Sequence, residues 1–316
     1  MNSYLVLDYA DRPHKRVCRK IIGRLARSFA TCLGSKLDYI GMGSLFYEDF
    51  KEFHEGGFID EMVSIEYIGD AQGSVDALKY RRFMLNRPYE SIRLMPVLVG
   101  EAVEALPFDK ACLVWFDYDS ELTRGKVENL ANVIRKAQAS SMLVCSTSTK
   151  TAYYYMAIGS CRDLDMATIH ASFDYMVGPE ETGIWERLTA VNFSQLMRDA
   201  AEPYYQRLVA ERNRVEHRNF QLRKVGRIKH RDTSWMVDDI WLLVDADKVD
   251  VGLVERKVLG HADAGSHVID MPVLTEREKR IIASRLDDDP AALAEDLALE
   301  EGHVRKILRY WDDCQA

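Results

Sequence analysis

Five short apolar runs, each separated from the next by enough chain for a helix, constrain this sequence more than any other feature. They occupy residues 37–41, 62–66, 92–95, 111–117 and 142–145, and their starts lie 25, 30, 19 and 31 residues apart. Antiparallel strands can be joined by two residues, whereas parallel strands need a crossover of a dozen or more, usually a helix. Several runs are apolar at consecutive positions, as in Ala111-Cys112-Leu113-Val114-Trp115-Phe116, the pattern of strands covered on both faces. The intervening stretches have helical periodicity. Phe46, Phe50 and Phe53 fall at i, i+4 and i+7 ahead of Gly56-Gly57, and Val127, Leu130 and Ile134 fall at i, i+3 and i+7. The succession predicts an α/β fold with a doubly wound, Rossmann-like, mostly parallel sheet.

The flanks extend this core. Val17, Ile21, Leu25 and Phe29 predict a preceding helix with a basic outer face. Residues 204–218 read as a basic helix. Residues 221–228 and 234–244 read as two strands around Lys229-His230-Arg231-Asp232, a hairpin closing the sheet edge. Gly, Ala, Asp and Ser collect over residues 260–272, which predicts a boundary between a main domain (1–262) and a three-helix unit (272–316). That unit opens on a Thr275/Glu278 capping box, has Pro290 in the first turn of its second helix, and carries Val304, Ile307, Leu308 and Trp311 on its third. The spacing is that of a helix-turn-helix.

Composition narrows the function classes. A net charge of −8 excludes a general polyanion binder. Positive charge is nevertheless concentrated, with seven Lys/Arg and no acid over residues 12–27 and nine Lys/Arg against two acids over residues 206–231. If the fold joins these segments, they form a surface for an anionic ligand or nucleic acid. The last 45 residues are acidic, with eleven acids against seven bases, which suits a protein partner better than DNA, although Arg305, Lys306 and Arg309 lie on the third helix. No apolar run approaches the roughly 18–20 residues of a membrane span, and Met1-Asn2-Ser3-Tyr4-Leu5-Val6-Leu7-Asp8 is too soon charged for a signal peptide. The six cysteines are scattered without a CxxC pair or zinc-ligand spacing, so no metal is expected and a cytoplasmic, reducing location is.

The candidate site is set by the strand ends. Ile40-Gly41-Met42-Gly43-Ser44 turns the first strand into its helix, where glycine permits either a positive φ or close approach of a ligand. Glu66 ends the second strand 23 residues past Gly43, near the position where dinucleotide-binding folds hold a ribose. Asp117 and Asp119 follow the fourth strand and could orient an acceptor or take its proton, or one could cap the next helix in competition with Ser120 and Thr123. His54 could act as a base with Asp49, or simply pack. Tyr153, Tyr154 and Tyr155 could wall a substrate pocket, and Trp235 and Trp241 read as core.

Together the glycine turn, the strand-two acid and the acid-led fourth loop resemble class I S-adenosylmethionine (SAM) methyltransferases. More narrowly, the chain is similar to a group of bacterial proteins labelled O-methyltransferases. The similarity rests on Arg12-Pro13-x-Lys15, Tyr39-Ile40-Gly41-x-Gly43-Ser44 with Asp49-Phe50 and His54, Met62-x-Ser64-Ile65-Glu66, Asn86-x-Pro88-Tyr89 and Trp115-x-Asp117-Tyr118-Asp119. It implies SAM as cofactor, with Tyr39, Gly41, Gly43 and Ser44 near its methionine part and Glu66 on its ribose. It also implies Asp117, Asp119 and His54 as the catalytic candidates. The turn lacks the third glycine of G-x-G-x-x-G, since residue 46 is Phe. Asp117-Tyr118-Asp119 lacks the prolines of the adenine N6 signature, which disfavours amino-DNA methylation. The expected activity is methyl transfer to an acceptor that the sequence does not name, with a phosphate-bearing molecule or nucleic acid suggested by the basic segments. The alternative is a non-catalytic scaffold of the same fold.

Overall fold

A computed structural model describes residues 12–69, 74–158, 161–181, 183–231, 234–272 and 274–314. The N-terminal segment considered for a signal peptide lies outside them. The chain runs α1 (Pro13–Leu33), β1 (Leu37–Gly41), α2 (Glu48–Glu55), β2 (Ile59–Ile65), α3 (Ala77–Asn86), β3 (Ile92–Met95), α4 (Val99–Ala105), β4 (Cys112–Glu121), α5 (Arg124–Lys136) and β5 (Ser141–Ser148). It continues through the short hairpin β6 (Tyr155–Ile158) and β7 (Cys161–Leu164), then α6 (Met166–Phe173), α7 (Gly183–Glu186) and the long α8 (Phe193–Glu216). The last part holds β8 (Phe220–Arg231), β9 (Trp235–Asp245), α9 (Val251–Val254), β10 (Gly265–Ile269), α10 (Glu276–Ala283), α11 (Pro290–Leu297), α12 (Glu301–Arg309) and α13 (Trp311–Cys314).

Eight strands form one sheet in the order β10-β8-β9-β5-β4-β1-β2-β3. The five apolar runs pair in parallel, and β9 lies antiparallel against β5 with β8 antiparallel against β9. The expected hairpin forms next to β5, but it does not close the edge, because β10 lies outside β8. The order reverses direction between β1 and β4, so the chain leaves adjacent carboxyl ends towards opposite sides and opens a crevice there.

Each face of the sheet carries its own apolar layer. One holds Val17, Ile21, Leu25 and Phe29 of α1, Phe50 and Phe53 of α2, and Leu113 and Val144 of the sheet. The other holds Val127, Leu130 and Ile134 of α5, Met197 and Tyr205 of α8, and Val114 and Phe116 of the sheet. Each fully buried aliphatic or aromatic side chain contributes about 1.5–3 kcal/mol, so the two layers hold α1 and α8 tightly to opposite faces. Of the second basic segment, 206–231, the part on α8 (206–216) is therefore kept apart from residues 12–27, and the rest forms β8 within the sheet. Much of the second segment is internally paired, with Arg212 on Glu216 at 2.9 Å, Arg218 on Asp245 at 2.9 Å and Lys224 on Glu202 at 2.8 Å.

The C-terminal helices do form, and the Thr275/Glu278 capping box is present. Ile282, Leu293, Leu297, Val304 and Ile307 belong to the same apolar layer as α1, and Arg24 of α1 pairs with Asp313 at 2.7 Å and Asp263 at 2.5 Å. The stretch expected to be a linker instead contributes β10, parallel to β8 with Gly265 opposite Gly226. Two glycines let these backbones meet. A Cβ on residue 226 would stand 2.0 Å from the Gly265 carbonyl oxygen, and Gly265 has φ +102°. Among the described residues no helix is long and apolar enough to cross a membrane. Gly226→Ala should force β10 off the edge and cost roughly 3 kcal/mol or more, read as a lower urea midpoint; an unchanged midpoint would show that the strands can separate freely.

Candidate active site

A cleft of about 580 Å³ opens at the carboxyl ends of the parallel strands, on the α4–α5 side of the sheet. Met42 after β1, Ile65 and Glu66 at the end of β2, Val97–Val99 before α4, Tyr118 of β4, and Gly125 and Asn129 of α5 line it. The volume suits a small organic ligand or cofactor. Alternation along the strands decides which side chains face it. Tyr118 points to this side with its neighbours Phe116 and Val114, whereas Asp117 points to the α1 side. Asn129 Nδ2 donates to the Tyr118 hydroxyl at 2.8 Å and fixes that wall.

Glu66 is 7% exposed. Burial raises its carboxyl well above the usual carboxylate range, and the charge of Asp49 adds to the shift. An acid in this state gains from any ligand that brings hydroxyl donors, because they favour the ionised form.

Of the two reasons offered for the glycine turn, a positive φ is not the one. Neither Gly41 nor Gly43 has a positive φ; the glycines that do are Gly34, Gly57 and Gly265. What Gly41 permits is the approach of Tyr39, whose hydroxyl oxygen would be 2.2 Å from a Cβ there. Gly43 likewise makes room for Ser64 Oγ, which would be 2.3 Å away. Both contacts fall on the α1 side, so Met42, and not its flanking glycines, lines the cleft. Ser44 Oγ accepts from the backbone N–H of Phe46 at 3.2 Å and tightens the turn.

On the α1 side a charged group closes over the strand ends. Lys15, 4% exposed, donates to both oxygens of Asp117 at 2.6 and 2.5 Å. Burial opposes the Lys15 charge, but Asp117 and then Asp238 outweigh it and raise the ammonium above its ordinary value. The Tyr39 hydroxyl donates to Asp49 Oδ2. Burial pushes the Asp49 carboxyl up to about 6 against the opposing effects of that hydrogen bond and of Arg19. The basic face expected for α1 is therefore partly turned inward.

The remaining candidates separate. Asp119 is exposed at the end of β4, and α5 starts after Thr123 without a side-chain cap, so neither aspartate caps that helix. His54 sits in the last turn of α2, far along the helix from Asp49, and stacks on Tyr89 with centroids 4.0 Å apart. The geometry does not bring the two together as a base pair. Tyr154 is fully buried, its hydroxyl donating to the Leu122 carbonyl at 2.7 Å, so it is core and not a pocket wall. The side chain of Tyr153 lies outside the described residues. Trp241 is core, while Trp235 is partly exposed beneath Lys229. Sequence reasoning named Lys15 only within a motif, with no role for it, and missed Lys126. The latter donates to Ser120 Oγ at 2.7 Å and lies 5.0 Å from the centroid of the Tyr118 ring, and burial pushes it down to about 8.

A family described as "Putative O-methyltransferase" matches residues 7–312. The chain belongs to this family. Among solved structures, the N-methyltransferase NodS from Bradyrhizobium japonicum WM9, in complex with S-adenosylhomocysteine, is 12% identical. That match covers 74% of this chain and 90% of that one at a TM-score of 0.38. An O-methyltransferase from Bacillus cereus, also in complex with S-adenosylhomocysteine, is 10% identical, covering 70% of this chain and 80% of that one at a TM-score of 0.33. No curated protein matches. Structural likeness at these scores carries no weight for function, which rests on the family match and the chain's own geometry.

The α1 side yields two expected outcomes. Lys15→Met should cost about 1–3 kcal/mol, less than a fully buried pair because Asp117 is 30% exposed, and adding Asp117→Asn should recover much of it; strictly additive losses in a double-mutant cycle would deny the coupling. An acid whose pKa is raised by folding loses stability as pH rises from its unfolded value towards about 6, and the loss persists above that. Asp49→Asn should therefore gain on the wild type as pH rises from 4 to 7 in urea unfolding, and a pH-independent difference would contradict the buried-acid assignment.

Proposed function

We propose that this member of the O-methyltransferase family is a SAM-dependent methyltransferase whose cofactor occupies the cleft beside Glu66. The observation that carries the reading is the position of Glu66: a buried acid at the end of β2, in a cleft of about 580 Å³ at the sheet's switch point. The residues present fit that cofactor. Glu66 offers two carboxylate oxygens to a ribose diol, Val97, Leu98 and Val99 offer an apolar wall to a flat base, and Met42 and Tyr118 bound the end nearest the β1–β4 switch. SAM supplies an electrophilic methyl group on a sulfonium.

The rest of the work falls to the protein. Transfer from a sulfonium gains most of its rate from alignment, for which effective molarities of roughly 10⁵ M or more are attainable. An oxygen acceptor must also lose a proton. Asp117, on the other face of β4 and held by Lys15, is the carboxylate we assign to orient that hydroxyl, with exposed Asp119 two residues on. For the acceptor we favour a molecule that brings a hydroxyl to Asp117. The groove of about 570 Å³ between α1 and α2 adds little pull on an anion, since Arg19 and Lys20 lie on Glu52, Lys51 on Glu48, and Arg24 on Asp263 and Asp313.

Calorimetry with S-adenosylhomocysteine tests the cofactor reading. Glu66→Ala should weaken binding by roughly 100-fold, the value of two hydrogen bonds to a charged group, and Asp117→Asn should leave it unchanged. Because ligand hydroxyls favour the ionised acid, wild-type affinity should rise with pH, and Glu66→Gln should flatten that dependence. No heat with the wild type at any pH would sink the reading and favour the scaffold alternative.

A further inference from the structure

A separate polar cluster lies buried on the α1 face of the sheet, away from the Glu66 cleft. Cys18 of α1, His230 of β8 and Asp238 of β9 are each 0% exposed. One donor atom from each lies within 4.8 Å of the other two. His230 Nε2 is 3.4 Å from Asp238 Oδ1. Even so, among the described residues neither nitrogen of His230 nor either oxygen of Asp238 makes a well-formed hydrogen bond. Buried polar atoms are almost always satisfied, and each one left unmet costs about 1–3 kcal/mol.

Neighbouring groups resolve this only in part: the Lys15 charge and the Ser146 hydroxyl favour the Asp238 carboxylate, but neither serves His230. Lys15 is close, but its ammonium is committed to both oxygens of Asp117. Protonating His230 would set Nε2 against Asp238 Oδ1 at a long 3.4 Å and leave Nδ1 without an acceptor among the described residues, and a poorly aligned buried ion pair does not repay its desolvation. Lys15 acts on Asp238 through its charge while its hydrogen bonds go to Asp117, so one carboxylate, one imidazole and one thiol converge on a space where no cation is hydrogen-bonded to them among the described residues.

We propose that Cys18, His230 and Asp238 form a buried site for one divalent transition-metal ion of the zinc type. A sulfur, a nitrogen and an oxygen donor suit zinc or cobalt, whereas magnesium and calcium take all-oxygen sets. As the ion enters, the Cys18 thiol loses its proton to solvent, and the electron pair of the broken S–H bond forms the sulfur–metal bond. Three protein donors leave a fourth tetrahedral position for water. Each donor comes from a different element, so the ion would pin the N-terminal half of α1 to the β8–β9 hairpin.

The fold explains why these residues meet. Ile228 pairs with Asp238 and His230 with Met236 across the β8–β9 ladder, which makes His230 and Asp238 diagonal neighbours on one face. Ser146 stands opposite Asp238 on β5 and accepts from Trp115 Nε1 at 2.8 Å, fixing that side of the site. Cys18 lies on the stripe Lys15, Cys18, Ile22, Leu25, Phe29 that faces the sheet. No local spacing motif announces donors more than 200 residues apart, so the expectation of no metal followed from spacing alone.

The test uses the full-length protein, stripped with chelator and titrated with Co²⁺ or Zn²⁺. We expect one equivalent per chain and, with Co²⁺, a thiolate-to-metal charge-transfer band. Cys18→Ser should abolish the band and weaken metal binding by roughly 100-fold or more, while Cys32→Ser keeps both. A folded wild-type protein that takes up neither ion stoichiometrically would overturn the proposal, as would a band that survives Cys18→Ser. The wild-type result stands even if a variant misfolds. S-adenosylhomocysteine binding, measured on the same samples, reports the other face of the sheet and fails or succeeds independently.

Discussion

The structure depends on a buried ammonium. Lys15 occupies the apolar stripe of α1, and the carboxylate of Asp117, 2.5 Å away, with the charge of Asp238 behind it, makes that burial tolerable. A charge removed from water without a partner would cost several kcal/mol. The pair therefore sets both the height of α1 over the sheet and the direction in which Asp117 points. Because α1 is held there, its inner residues Cys18 and Arg19 are carried into the interior beside the strand ends, and the C-terminal helices find a surface to complete.

The second constraint is topological. Reversal of strand order between β1 and β4 separates their helices and leaves the carboxyl ends of β1, β2 and β4 around one opening. Alternation then divides β4 between two tasks: Tyr118 faces the cleft with Glu66, and Asp117 faces α1. The glycine turn maintains this division by accommodating Tyr39 and Ser64 beneath the loop. The loop is held close to the sheet from the side opposite the cleft, which keeps Met42 and Glu66 in place.

Much of the fold was legible because its signals are local. A strand buried along its whole length such as β5 announces itself by an unbroken apolar run, Met142–Cys145, even though the buried residues around it are Ser and Thr, and α2 and α5 must repeat every three to four residues. Strand β10 escaped because an edge strand built on Gly265 and pressed against Gly226 has a linker's composition. The site was only half legible. Glu66 and Asp117 can be placed from strand ends, but the partner of Asp117 lies 102 residues away on a helix whose charges look solvated. The stripe at residues 15, 18, 22, 25 and 29 holds that information for a reader who lets a lysine take a core position. The packing reason for Gly41 is equally hidden in the sequence, since what fills the place of its missing Cβ is the Tyr39 ring folded back along the strand. For His54 the packing alternative describes what is seen, a ring stacked on Tyr89, because on a helix the interval of five residues turns it away from Asp49.

The central claim is that Glu66 receives the ribose of a SAM-type cofactor in the cleft on the α4–α5 side of the sheet. A crystal structure of the protein with S-adenosylhomocysteine tests this most directly. The ligand should lie between Met42, Val97–Val99 and Tyr118, with both ribose hydroxyls within hydrogen-bonding distance of the Glu66 carboxylate, about 2.5–3.0 Å. Ligand bound elsewhere, or bound in the cleft with Glu66 turned away from the ribose, would contradict it.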